Sequence, residues 1–137
     1  MNRKEPGSDS FTHYTSENGS LSHNSVSALT ADPQGRLWVG TWGGGINLLE
    51  LKNPRHLLEV MSPESEGNFP IYFIGALAYD SINNGMWIGA NEGVFFYDME
   101  KQKILSPLAN HVSENIRGSI GSIIDKDGNL WIGCLEG

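Results

Sequence analysis

Apolar and polar positions along this chain fall into short runs that suit strands rather than helices. Val26-Ser-Ala-Leu-Thr-Ala31, Ile74-Gly-Ala-Leu-Ala-Tyr79 and Ile120-Gly-Ser-Ile-Ile124 are rich in β-branched and small residues. Each is followed by an aspartate, a turn and a second strand-like run, at 36–41, 86–90 and 130–134. Third strands are expected at 45–51 and 94–97, and outer strands at 57–61 and 103–105.

The unit is repeated. Asp32-Pro-Gln-Gly-Arg-Leu-Trp38-Val-Gly40 returns as Asp80 through Gly85-Met-Trp87-Ile-Gly89 and as Asp125-Lys-Asp-Gly-Asn-Leu-Trp131-Ile-Gly133, with the tryptophans 49 and 44 residues apart. That period matches one four-stranded blade of a β-propeller. In the turn, Asp32 and Asp125 can accept from the amides ahead of them, while Gly35 and Gly128 supply positive φ. The middle turn is longer and runs to Gly85. A further glycine stands six residues past each tryptophan, at Gly44, Gly93 and Gly137. A large ring demanded in every copy, Trp38, Trp87 and Trp131, is demanded by packing between sheets.

The expected architecture is therefore all-β, an incomplete β-propeller of about two and a half four-stranded antiparallel blades over 11–137. It divides into the outer strand of a preceding blade at 11–14, blades at 26–62 and 74–106, and the first half of a blade at 118–137, with 1–10 read as a disordered tail. Closed propellers hold about four to eight blades. The remaining blades of a parent propeller are thus expected partners, as is self-association through open sheet edges.

Phe11-x-x-Tyr14, then Leu21-Ser-His-Asn-Ser-Val26, then Asp32-x-x-Gly35-x-Leu-Trp38-Val-Gly40-Thr41-x-Gly-Gly resembles the two-component regulator propeller repeat, and the Asp125 to Gly133 copy is similar to it almost letter for letter. The resemblance implies the periplasmic sensor region of a hybrid two-component receptor, an inner-membrane protein with two seven-bladed propellers, an immunoglobulin-like domain, a membrane span and a histidine kinase. It implies that the propellers recognise products of polysaccharide breakdown and regulate the genes for their use.

Composition narrows the field. A net charge of −7 and a pI near 4.9 argue against nucleic acid, which selects basic patches. The longest apolar stretch, 71–79, is far short of the roughly 20 residues of a membrane span, and the N-terminal residues lack the apolar core of a signal peptide. His13, His23, His56 and His111 occupy separate repeat positions without metal-site spacing, and the single Cys134 sits where the other copies have Thr41 and Ala90. Asp125-Lys-Asp-Gly places its glycine fourth, where a calcium loop needs it sixth. Gly43-Gly-Gly45 lacks the Lys and Ser/Thr of a phosphate loop. No metal, cofactor or catalytic residue is assigned.

Binding residues are expected on the loops. The connections between outer and next inner strands, and between second and third strands, open on one face of a blade. They carry His23 and Asn24, residues 69–72 with Tyr72, and residues 115–117 with Arg117, together with Trp42, Asn91, Glu92 and Glu136. An aromatic surface ringed by amides and charges suits an oligosaccharide, whose C–H faces stack while its hydroxyls hydrogen-bond. Three readings follow: a non-enzymatic sensor piece, a protein-interaction module, and part of a propeller-scaffold lyase or hydrolase.

Overall fold

The protein is described by a computed structural model covering residues 1–62, 71–105 and 116–136. Phe69, His111, Asn115 and Gly137 of the sequence reading, and the blade boundary at 106, lie outside the described residues. The strands are β1 (Asn2–Lys4), β2 (Phe11–His13), β3 (Val26–Ala31), β4 (Arg36–Thr41), β5 (Ile46–Glu50), β6 (Asn53–Met61), β7 (Ile74–Asp80), β8 (Gly85–Ala90), β9 (Val94–Asp98), β10 (Lys103–Leu105), β11 (Arg117–Ile124) and β12 (Leu130–Glu136). They form two four-stranded antiparallel sheets, β3-β4-β5-β6 and β7-β8-β9-β10, and two two-stranded ones, β1-β2 and β11-β12. The fold is all-β, as expected, with two whole blades and part of a third.

Three details differ from the sequence reading. Residues 2–4 are not a disordered tail: β1 pairs antiparallel with β2, with Asn2 opposite His13, Arg3 opposite Thr12 and Lys4 opposite Phe11. Backbone pairing needs no apolar alternation, so the Arg3-Lys4-Glu5 stretch gave no strand signal. In the middle turn the left-handed position is Asn84, at φ 48°, one residue before the Gly85 that the sequence reading put at the end of the turn. Gly85 instead opens β8, where the Phe96 ring lies so close that a Cβ would fall 2.0 Å from its Cζ. The structural counterpart of Gly93 is Gly45 rather than Gly44: Thr41 N–H donates to Gly45 O as Ala90 N–H does to Gly93 O. The first blade carries one extra residue in this turn.

The main core fills the space between the first two blades. Trp38, Ile46, Leu48 and Met61 meet Ile74, Leu77, Met86, Ile88, Tyr97 and Met99, and the Trp38 and Tyr97 rings pack edge to face at 5.3 Å. A second cluster joins Tyr14 and Leu21 to Val39 and Leu49 on the opposite face of the first blade.

The glycine two residues past the tryptophan lets successive inner strands approach. A Cβ at Gly40 would lie 2.5 Å from Ile74 Cγ2, and one at Gly89 would lie 2.6 Å from Ser119 Cβ. The two blade junctions thus repeat one contact.

Candidate functional site

The hairpin beneath the loops is fastened the same way in all three copies. Trp38 Nε1–H donates to Asp32 Oδ2 at 2.8 Å, Trp87 Nε1–H to Asp80 Oδ2 at 3.1 Å, and Trp131 Nε1–H to Asp125 Oδ2 at 2.9 Å. The other carboxylate oxygen closes the turn. Asp32 Oδ1 accepts from Gln34 N–H and Arg36 N–H, Asp80 Oδ1 from Ile82 and Asn83, and Asp125 Oδ1 from Asp127 and Asn129. Burial, the largest influence on Asp32, disfavours its charge, but the Trp38 indole and Arg36 outweigh it and hold the carboxyl below its ordinary range. Asp80 behaves alike: burial is outweighed by Asn83 and Trp87. At Asp125 the Trp131 indole leads, with Asn129 next, and the pKa falls to about 2.

Strand β4 ends at Thr41, so Trp42 emerges at the mouth of the junction between the first two blades. Its N–H donates to Ser25 O at 2.8 Å, and it forms an isolated antiparallel bridge with Phe73. The Trp42 and Phe73 rings meet edge to face at 5.3 Å and 64°, and the Tyr72 and Phe73 rings lie 6.4 Å apart. Trp42 stays 42% exposed and Phe73 37% exposed, in a protein that buries Trp38 completely. The backbone below is tied, since Tyr72 O accepts from both Gly43 N–H and Gly45 N–H, and Phe73 O from Asn91 N–H. The exposed Trp42 and Phe73 rings and the half-buried Tyr72 ring thus form a ledge on a fixed frame, with Phe73 in contact with both of the others. Asn91, with Glu92 beside it in sequence, lies next along, and both are exposed.

Phe73 is the ledge residue that sequence reasoning missed. It precedes the first residue of β7, and its signal was its place directly after Tyr72.

The other candidates have different surroundings. Asn24 is engaged within its own loop: its Oδ1 accepts from Ser16 N–H at 2.8 Å and its Nδ2 donates to Glu17 Oε1 at 2.8 Å. His23 is half-buried against the glycine turn, where a Cβ on Gly44 would fall 2.6 Å from His23 Cβ. Its Nδ1 accepts from Ser25 N–H at 3.1 Å, which places the proton of the neutral ring on Nε2. Arg117 and Glu136 are register partners across β11 and β12, one blade away from the ledge. Among the described residues no three His, Cys, Asp or Glu side chains gather as a metal site, and no helix is long and apolar enough to cross a membrane.

Comparison with known proteins agrees with this architecture. The family model described as two component regulator propeller matches residues 20–43, the segment from Ser20 through the first Asp-to-Trp hairpin to Gly43. Among solved structures, the extracellular domain of the hybrid two component system BT3049 from B. thetaiotaomicron aligns with a TM-score of 0.74 at 23% identity, over 92% of this chain and 17% of that one. The extracellular domain of the hybrid two component system BT4673 from the same organism aligns at 0.76 and 20% identity, over 97% of this chain and 19% of that one. Sqt1 of Saccharomyces cerevisiae aligns at 0.58 and 20% identity, over 82% of this chain and 31% of that one. No curated protein sequence matches. The chain carries a two-component regulator propeller repeat within a propeller fold, and spans about a fifth of the receptor domains that it resembles in shape.

Proposed function

We propose that this chain is a non-enzymatic portion of the periplasmic sensor propeller of a hybrid two-component receptor, and that it contributes to binding an oligosaccharide released from a polysaccharide. The observation carrying this reading is the ledge of Trp42, Phe73 and Tyr72, held at a blade junction by backbone hydrogen bonds. Rigid aromatic rings offer sugar C–H faces an apolar platform at little entropic cost, and the exposed Asn91 and Glu92 supply polar groups for hydroxyls. The repeat match and the extracellular receptor domains of similar fold support the sensor setting. The net charge of −7 favours neutral oligosaccharides over sulfated or uronate-rich ones.

Calorimetric titration with a panel of neutral and acidic oligosaccharides tests the reading. A neutral oligosaccharide is expected to bind wild type and to lose at least tenfold in affinity with Trp42→Ala. Binding indifferent to that substitution, or no binding across the panel, argues against it.

A further inference from the structure

The ledge at the junction of the first two blades is stepped rather than flat. The Trp42 and Phe73 planes are inclined by 64° with centroids 5.3 Å apart, and the Phe73 and Tyr72 planes by 55° with centroids 6.4 Å apart. The two outermost rings come from different blades, since Trp42 follows the last residue of β4 and Phe73 precedes the first residue of β7. Their inclination is built into the backbone. The bridge between Trp42 and Phe73 holds the two residues side by side, Trp42 N–H is tied to Ser25 O at 2.8 Å, and Tyr72 O takes Gly43 N–H at 3.0 Å and Gly45 N–H at 3.1 Å. Turning either ring into the plane of the other would forfeit an edge-to-face contact, a favourable arrangement for two aromatic quadrupoles. The second blade has Asn91 and Glu92 in the corresponding, shorter turn. The blade architecture therefore does not demand Trp42, and the step is particular to this junction.

Stacking carries this geometry over to a ligand. A pyranose lays a C–H face flat on an aromatic ring, so each stacked sugar takes the plane of the ring beneath it. Two sugars stacked on Trp42 and Phe73 must be inclined to each other as the rings are, by 64°, and the 5.3 Å between the rings lies within the span of adjacent residues of one chain. The β-linked glucose chain of cellotetraose is a flat ribbon whose successive rings turn over but stay near one plane, so it covers one ring and leaves the other bare. The α-linked chain of maltotetraose turns steadily in one sense and presents successive rings at an angle. Glucose carries its ring hydroxyls equatorially, so either of its faces offers C–H groups for stacking.

We infer that the ledge selects a neutral glucan whose chain curves between adjacent residues, as α-linked glucose does, over flat β-linked ribbons. This inference rests on the oligosaccharide reading above and narrows it to a linkage geometry. One glucose residue lies on Trp42 and the next on Phe73, so the unit recognised is a disaccharide step rather than a single sugar. Because the rings are already set at their angle, a curved chain stacks on both without reorganising the site, and that preorganisation favours it.

Calorimetric titration of the whole chain with maltotetraose, the curved β-linked laminaritetraose and flat cellotetraose varies linkage while holding the monomer constant. At least one of the two curved tetraoses should bind about tenfold tighter than cellotetraose, and affinity for its series should climb steeply from glucose to the disaccharide. Trp42→Ala and Phe73→Ala should each bring the curved ligand down towards cellotetraose, narrowing the ratio between the two. That ratio is read on one sample of each variant, so a partial loss of folded protein leaves it unchanged. Cellotetraose binding as tightly as both curved chains, or a curved-to-flat ratio untouched by either substitution, would overturn the inference and leave the oligosaccharide reading standing. Binding of none of the three would overturn it too, and the oligosaccharide reading would then stand or fall on the wider panel of neutral and acidic sugars.

Discussion

Asp32, at the start of the turn after β3, and Trp38, on β4, are joined by a 2.8 Å hydrogen bond from the indole N–H to the carboxylate. Arg36 Nε reaches the same oxygen at 2.6 Å. One buried carboxylate thereby ties the turn backbone, a cation and the largest ring of the main core. Asp32→Ala should cost about 3 kcal/mol, because it strands a buried indole N–H and breaks a partly buried ion pair. Trp38→Phe, which keeps an aromatic ring but orphans the acid, should cost about 2 kcal/mol. Urea unfolding of the two variants measures both. A loss at Asp32 below that of an ordinary surface substitution would show that the turn does not depend on it.

Acid sensitivity follows from the three aspartates. Each has a folded pKa below its ordinary value of 3.8. The folded state therefore binds fewer protons than the unfolded one near pH 4, and the stabilisation is present above the unfolded value and lost as pH falls through the folded one. The melting temperature should hold steady from pH 7 to about 5 and fall below about 4. Asp125, with a folded value of about 2, should extend that fall towards pH 2. Asp125→Asn should flatten the lowest part of the curve.

Close approach between blades predicts a sharp contrast between two glycines of inner strands. A Cβ on Gly75 would lie 1.5 Å from the Ser119 carbonyl oxygen, whereas one on Gly121 would meet nothing within 4 Å. Gly75→Ala should cost upwards of about 3 kcal/mol, and Gly121→Ala should stay within about 0.5 kcal/mol. The register places Ala28 and Ala76 at the counterparts of Gly121, so alanine already suits that site. Thermal melts of both variants decide the matter, and equal losses would contradict the junction geometry.

The strands were legible because the Asp-x-x-Gly turn and the Trp-x-Gly run recur on a fixed period. β3, β4 and β10 begin and end where their residue patterns do. β1 was not legible, since Asn2, Arg3 and Lys4 are exposed and carry no apolar alternation. What makes them a strand is pairing with Phe11, Thr12 and His13. The indole–carboxylate bond was half legible: the recurrence of Asp and Trp showed that both matter, but only antiparallel pairing reveals that residues six or seven apart meet. At the ledge, Trp42 and Tyr72 could be placed on one loop face, while Phe73 fell between the loop at 69–72 and the strand from Ile74 and was assigned to neither. Asn24 was a loop candidate whose residue type also suits satisfying backbone amides in its own turn, and its two hydrogen bonds within the loop define the tie.

That distinction gives a further prediction. Asn24→Ala should lower stability by about 1 kcal/mol through loss of its bonds to Ser16 and Glu17, while leaving oligosaccharide affinity within about twofold. Phe73→Ala should do the reverse, weakening affinity severalfold with a smaller effect on the melt. Calorimetry and thermal melts on the same samples separate the two roles, and a strong affinity loss at Asn24 would move the binding surface towards residues 16–24.

The most direct measurement is a ¹⁵N–¹H correlation map of the whole chain during titration with the oligosaccharide that binds best. The account predicts shifts centred on Trp42, Tyr72, Phe73 and Asn91, including the Trp42 indole N–H, with the Trp38 and Trp87 indoles unmoved. Shifts centred elsewhere, or a map unchanged by every oligosaccharide tried, would contradict the ledge as the recognition surface.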